Sequence, residues 1–322
     1  MAKQLAFNLS VLTSRNHPEA AYLRLMERIW KSGSERIDRT GIGTRSIAGA
    51  MLRYDLADDS MPLLTTKRVY WKTATRELLW FLTGDTNIKS LVLQGVKIWN
   101  EWPHARYVAE SGDDLTLETF VDRIATDPHF AEQWGSLGPV YGKQWVNWPV
   151  YEPVDKNGLY RQRENGINQV AEVIESLRNN PGSRRHIIEG WNVAELDQMA
   201  LPPCHKTYQF HVADGRLNCM LYQRSCDVAL GLPFNLWSAA ALLRMFAQQT
   251  NLAPGELIWM GGDVHLYLNH SHLIEEQLSR QPRGRPRMRL LRHPDSIFDY
   301  RLEDFEVYNY DPLGPIKAPV AV

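Results

Sequence analysis

The stretch that decides how this chain folds is Leu201–Asn235, LPPCHKTYQFHVADGRLNCMLYQRSCDVALGLPFN. At its centre an Asp214-Gly215 step separates two alternating runs, which predicts a hairpin with strands over Lys206–Val212 and Leu217–Gln223. The first strand begins just after Cys204-His205, and the second delivers Arg224, Ser225, Cys226 and Asp227 at its end. Gly231-Leu232-Pro233 then leads to Asn235 and an apolar helix over roughly Leu236–Thr250. A thiol, a guanidinium, a carboxylate and a carboxamide are so gathered at one end of a hairpin. Successive strand residues point to opposite faces, so His205 is badly placed to act as the base of a cysteine protease built on Cys204.

On the N-terminal side, apolar residues at helical spacing predict a helix over Glu19–Lys31, ended by Gly33 and preceded by an extension, residues 1–18. Asp38-Arg39-Thr40-Gly41-Ile42-Gly43-Thr44 is a polar glycine loop that lacks the lysine of a phosphate-binding P-loop and the third glycine of a dinucleotide loop. After Met61–Arg68, which contains Lys67, a helix over Lys72–Leu82 carries Glu77 among Leu78, Leu79, Trp80 and Phe81. A carboxylate in such surroundings must be paired, hydrated or raised in pKa. Ile98-Trp99-Asn100-Glu101-Trp102 supplies aromatic walls. Residues 103–138 read as a small helical insertion, with helices over Leu117–Ile124 and His129–Trp134 broken at Asp127-Pro128. Tyr141 opens the return to the main chain trace, and a helix over Asn168–Leu177 precedes the adjacent arginines Arg184-Arg185.

On the C-terminal side, Gly261-Gly262-Asp263-Val264-His265-Leu266-Tyr267 puts His265 and Tyr267 on one face of an extended segment. A helix over Ser271–Arg280 follows, and the chain closes on Ile316–Val322.

Hydrophobic residues make up 44% and charged residues 23% of the 322, the balance of an ordinary folded protein. No linker, repeat or low-complexity run divides the chain, so one large core is expected. The formal net charge of −1 gives no general attraction to nucleic acid or anionic membranes. Three cysteines without a CxxC pair argue against a disulfide framework or a zinc site and for a reducing compartment. No apolar run approaches the ~20 residues of a membrane span, and the first 20 residues lack a convincing signal sequence. A cytoplasmic protein is expected.

PPCH, LYQRSCD and GLPFN, in this order and spacing, resemble the signature of the thymidylate synthase family, whose relatives include pyrimidine nucleotide hydroxymethylases. The resemblance runs from about Tyr22 to the last residue, apart from the insertion. It implies a single-domain α+β fold with a large twisted mixed sheet at a homodimer interface, flanked by helices. It also implies an activity: transfer of one carbon from 5,10-methylenetetrahydrofolate, as co-substrate and without a metal, to C5 of dUMP. Cys204 would add to C6, Glu77 and Tyr141 would manage protons, and Arg224 would support the thiolate. Phosphate would be held by Arg39, Arg224 and Ser225, with Arg184 and Arg185 reaching in from the partner chain. His265 and Tyr267 would bind the sugar hydroxyl. Asp227 would meet the pterin N–H groups, Ile98, Trp99, Leu230, Gly231 and Phe234 would enclose its rings, and Lys67 would contact the glutamyl tail. The mobile segment 316–322 would close the site with the Val322 carboxylate.

Asn235 bears on the base. A carboxamide offers one donor and one acceptor, which match uracil O4 and N3–H, whereas cytosine presents the reverse pair. Several positions depart from the family pattern: Tyr70, Asn100, Glu189-Gly190, Trp237 and Ala239. Tyr70 and Asn100 would affect water access to the folate side, the point at which methylation and hydroxymethylation part. A hydroxymethylase and a non-catalytic nucleotide- or RNA-binding protein are the rival readings. The retained Trp99 and tail favour hydride transfer, since both exclude water.

Overall fold

The computed structural model describes residues 17–37, 41–155 and 158–319. The chain divides into two compact units, one drawn from Met1–Ala74, Ala213–His293 and Glu303–Ala321, the other from Thr75–Val212 and Pro294–Leu302.

The first unit is built on a mixed sheet. Strand Thr44–Asp55 pairs antiparallel with Ala253–Tyr267, which pairs parallel with Arg216–Asp227. The short strand Ser34–Arg36 extends the far edge. In Arg216–Asp227 the residues Leu217, Cys219, Leu221 and Gln223 are buried at every second position, the period of a strand with one face on a core. A parallel pair needs a long crossover, and helix Gly231–Gln249 supplies it. That helix is apolar nearly all round and buried nearly all round, as a central helix should be. It starts five residues before the expected Leu236. Proline costs nothing in a first helical turn, where its missing N–H would have no intrahelical partner. Gly231-Leu232-Pro233 is therefore helix rather than a lead-in, and Asn235 sits just past that turn.

Helix Glu19–Ser32 buries Leu23, Met26 and Ile29 and stops at Gly33, whose N–H caps the Ile29 carbonyl at 2.8 Å. Its buried Glu19 carboxylate accepts from the Thr65 N–H at 2.8 Å, the Thr65 hydroxyl at 2.7 Å, the Thr66 N–H at 2.9 Å and the Thr66 hydroxyl. A buried carboxylate with that many donors is stable in place, and it pins the segment that carries Lys67.

The second unit is mostly helical and contains the antiparallel pair Ile187–Glu189 and His205–Ala213. The insertion holds three helices, Glu101–Ser111, Leu117–Thr126 and Pro128–Trp134, one more than expected. The additional helix was hidden by Pro103, again a first-turn proline. Tyr107, Phe120 and Phe130 meet edge-on or tilted, with centroids 5.4–5.6 Å apart, so the insertion has its own aromatic core. Asp127 caps the third helix through the N–H groups of His129 and Phe130, both at 3.0 Å.

The short helix Tyr141–Val146 lies tight on helix Trp71–Thr83. A Cβ on Gly142 would come within 2.3 Å of the Phe81 carbonyl oxygen. Gly142→Ala is therefore expected to cost about 1–3 kcal/mol and to lower the thermal midpoint. An unchanged midpoint would mean that this helix is not pressed against Phe81. No helix among the described residues is long and apolar enough to cross a membrane.

Candidate active site

In the second unit a line of contacts joins Cys204 to Glu77. Cys204 is half-buried just before strand His205–Ala213, and its backbone N–H donates to the Tyr141 hydroxyl at 2.7 Å. Tyr141 is buried, stacks on Phe81 at 4.8 Å and meets the edge of Trp99 at 5.8 Å. The Trp99 indole N–H donates to Glu77 Oε1 at 2.7 Å. His205, by contrast, turns its buried ring against Tyr141 and Tyr208, which agrees with its exclusion as a general base. Ile98 is half-buried beside Trp99, while Arg184 and Arg185 lie exposed ahead of Ile187–Glu189.

Burial raises the Glu77 carboxyl from 4.5 to about 7, and the Trp99 hydrogen bond only partly opposes this. A carboxyl half-protonated near neutrality can both give and take a proton. It also leaves a mark on stability. Between pH 4.5 and 7 the folded chain keeps a proton that the unfolded chain has lost, so stability falls as pH rises through that window. The loss amounts to on the order of 3 kcal/mol. Glu77→Gln should abolish this fall, as read by denaturant unfolding across the window. Parallel pH curves for the two proteins would contradict the assignment.

In the first unit a second set is organised around Asn235. The Trp259 indole N–H donates to Gln223 Oε1 at 2.8 Å, and Gln223 Nε2 donates to Asn235 Oδ1 at 2.9 Å and to the Ser225 carbonyl at 3.1 Å. An indole nitrogen can only donate, so it fixes which end of Gln223 faces it. Gln223 in turn fixes Asn235, whose Oδ1 accepts and whose Nδ2 is left to donate. No motif or spacing in the sequence marks Gln223 or Trp259. The signal available was Gln223 itself, a polar residue at a core-facing position of the second strand.

Asp227 Oδ1 accepts from the N–H groups of Ala229 at 2.8 Å and Leu230 at 3.3 Å, and Oδ2 takes no part in these bonds. Lys67 is buried and donates to the Ala229 carbonyl at 2.5 Å. Burial lowers its ammonium to about 8, although Asp227 pulls in the other direction. Arg224, Ser225, Leu230, Gly231 and Phe234 are all half-buried along this strand end and helix start. His265 Nδ1 donates to Asp263 Oδ1 at 3.1 Å, and Asp263 also holds Arg36. The Tyr267 ring meets His265 edge-on at 5.3 Å. The described part of the C-terminal tail is tied down in the same unit. The carbonyls of Lys317 and Pro319 accept from His272 at 2.7 Å and His270 at 2.8 Å. Arg39 and Val322 lie outside the described residues.

Two rival thiols are set apart by burial. Cys219 and Cys226 are almost wholly enclosed, and burial pushes the Cys219 thiol far up. Among the described residues no group of three or more His, Cys, Asp or Glu side chains could hold a metal ion.

Two of the departures from the expected pattern, Trp237 and Glu189, have local partners. Trp237 is fully buried against Trp71, with ring centroids 5.3 Å apart. Glu189 accepts from Thr207 at 2.7 Å and pairs with Lys206 at 3.2 Å across the strand pair. Tyr70 is exposed, and Asn100 is buried.

A thymidylate synthase family model matches residues 20–322. A thymidylate synthase of Novosphingobium aromaticivorans is 69% identical over 96% of this chain and 98% of its own length. Those of Sphingopyxis alaskensis and Rhizorhabdus wittichii are 62% and 57% identical, each over 95% of this chain.

Proposed function

The chain belongs to the thymidylate synthase family, and from that premise we propose that it methylates dUMP at C5, converting 5,10-methylenetetrahydrofolate to dihydrofolate. The observation that carries this reading is the line from Cys204 through Tyr141 and Trp99 to a carboxyl poised near pH 7. Pyrimidine C5 becomes nucleophilic only after addition at C6. Cys204 makes that bond and leaves at the end, for which a thiolate is suited both ways. Glu77 and Tyr141 pass protons to and from the base while it is held as an enolate. The C5 carbanion takes up the folate methylene, the C5 proton departs, and elimination leaves an exocyclic methylene. A hydride from the folate then completes the methyl group. Trp99 walls off water, which would otherwise take the hydride's place.

Asn235 selects the base. Its Nδ2 donates to O4, while Oδ1 has a second lone pair for N3–H beside the one used by Gln223. His265, its ring oriented by the bond to Asp263, and Tyr267 bind the sugar 3′-hydroxyl. Asp227 Oδ2 receives the pterin N–H groups. Arg224 and Ser225 hold the phosphate together with Arg39, and Arg184 and Arg185 come from the partner in a homodimer. Guanidinium forks suit a phosphate dianion. The buried position of Lys67 makes it a support of the Asp227 loop as well as a contact for the folate.

Equal amounts of dTMP and dihydrofolate from dUMP are expected; a hydroxymethylated nucleotide with tetrahydrofolate would overturn the reading. The shared phosphate site has its own test. Mixing Cys204→Ser chains with Arg184→Ala/Arg185→Ala chains should restore activity that neither parent has. Mixtures as inactive as their parents would confine both arginines to their own chain.

A further inference from the structure

We propose that His272, together with His270 and Arg280, is a positioning residue for the folate co-substrate: the three hold the C-terminal tail in register along helix Ser271–Ser279 and act on the reaction through it. The inference rests on the reading of segment 316–322 as the part of the chain that closes the site. The tail is held by its carbonyls. Arg280 Nη1 donates to the Gly314 carbonyl at 2.7 Å, His272 Nε2 to the Lys317 carbonyl at 2.7 Å and His270 Nε2 to the Pro319 carbonyl at 2.8 Å. A carbonyl can only accept, so in both rings the hydrogen is on Nε2.

The spacing of these bonds sets the register. As the helix is followed back from 280 to 270, the tail runs forward from 314 to 319. Ten helical residues cover about 15 Å at about 1.5 Å each, and five extended residues cover about 17 Å at about 3.3 Å each. The two lengths agree, so a tail without helix or turn can meet all three donors at once. A slip of one residue would move each carbonyl by about 3.3 Å, beyond hydrogen-bond reach. The Leu313 N–H, on the Thr65 carbonyl at 2.8 Å, and the buried Ile316 side chain hold the same alignment.

Both ends of this clamp meet candidate site residues of the same unit. Arg280 Nη1 also donates to the Thr66 carbonyl at 2.8 Å, next to Lys67, a candidate folate contact. His270 is fully buried, and its ring meets that of Tyr267, a candidate sugar contact, edge-on at 5.5 Å. The tail is thereby tied to the segments proposed to hold both substrates. His272 is the member that can be changed cleanly. It is exposed, as is Lys317, so their bond can be removed without opening the core.

The test compares His272→Ala with His272→Gln, since glutamine restores an N–H donor on a side chain of similar reach. Trypsin cuts after Lys317, at the carbonyl that His272 holds, and the release of residues 318–322 is followed by mass. His272→Ala should speed that release about fivefold and raise KM for methylenetetrahydrofolate about fivefold, as the loss of one ordinary hydrogen bond implies. The turnover number and the affinity for dUMP alone should stay within about twofold, and the unfolding midpoint should not move. His272→Gln should restore both quantities. Release or KM unchanged in His272→Ala would overturn the proposal. Removing residues 320–322, which accept none of the three bonds, separates that failure from a failure of the premise. A truncation that raises KM while His272→Ala does not would reject the clamp alone. A truncation that leaves KM unchanged would show that the tail does not close the site, and the inference would fall with it.

Discussion

Cys204→Ser is expected to lower dUMP turnover by at least about 10⁴-fold while leaving dUMP affinity within a few-fold of the parent. The two outcomes separate because the groups proposed to bind the nucleotide are unchanged, whereas a hydroxyl at position 204 is neither ionised near neutrality nor a good leaving group. The Cys204 backbone N–H still donates to Tyr141, so the local structure has no reason to move. Cys219 and Cys226 offer no bypass, since both are buried. Steady-state turnover and equilibrium dUMP binding in the same preparation check the claim. Substantial remaining turnover would remove Cys204 as the nucleophile, and a parallel loss of binding would point instead to a collapsed site.

Asn235→Asp should change which base reacts, moving the ratio of kcat/KM for dUMP over dCMP by about 10⁴ toward dCMP. The size follows from leaving buried polar groups mispaired. With asparagine, cytosine would set its amino group against Nδ2 and its bare N3 against Oδ1. A carboxyl carrying one proton can instead donate to N3 and accept from the amino group. Gln223 and Trp259 make the effect directional. They hold the position 235 oxygen as an acceptor at 2.9 Å, so the wild-type side chain cannot flip to suit cytosine. Competition between the two nucleotides in one assay measures the ratio directly. A ratio unchanged by the substitution would show that another group reads the base.

These two residues also mark what the sequence made legible. The hairpin flanked by Cys204 and Arg224 was visible because alternation and an Asp-Gly step are local signals. The strands proved longer, reaching His205–Ala213 and Arg216–Asp227, so Arg224 to Asp227 lie on the strand itself rather than beyond it. The base-reading set was only half visible. Asn235 stood out by its place after Gly-Leu-Pro, but its orientation depends on Trp259, which is brought near Gln223 by parallel pairing across an intervening helix. Parallel register has no local signature. Strand Thr44–Asp55 is hidden in the sequence for a different reason. Gly49 interrupts it, and its burial alternates only near its end, at Leu52 and Tyr54, so no clean period shows in the residues. Glu77 is visible in the sequence as an anomaly in an apolar helix, yet its partner, Trp99, lies 22 residues away and only the fold brings the two together.

The measurement that bears most directly on the central claim follows one hydrogen. Forming dihydrofolate oxidises the C6–N5 bond of the folate, so the hydride that completes the methyl group must come from C6. The protein should be incubated with dUMP and methylenetetrahydrofolate carrying deuterium at C6, and the nucleotide product analysed by mass and by proton spectrum. The account predicts dTMP with one deuterium in its methyl group. A hydroxymethyl product without deuterium would contradict it, and would turn attention to how water reaches the exocyclic methylene past Trp99.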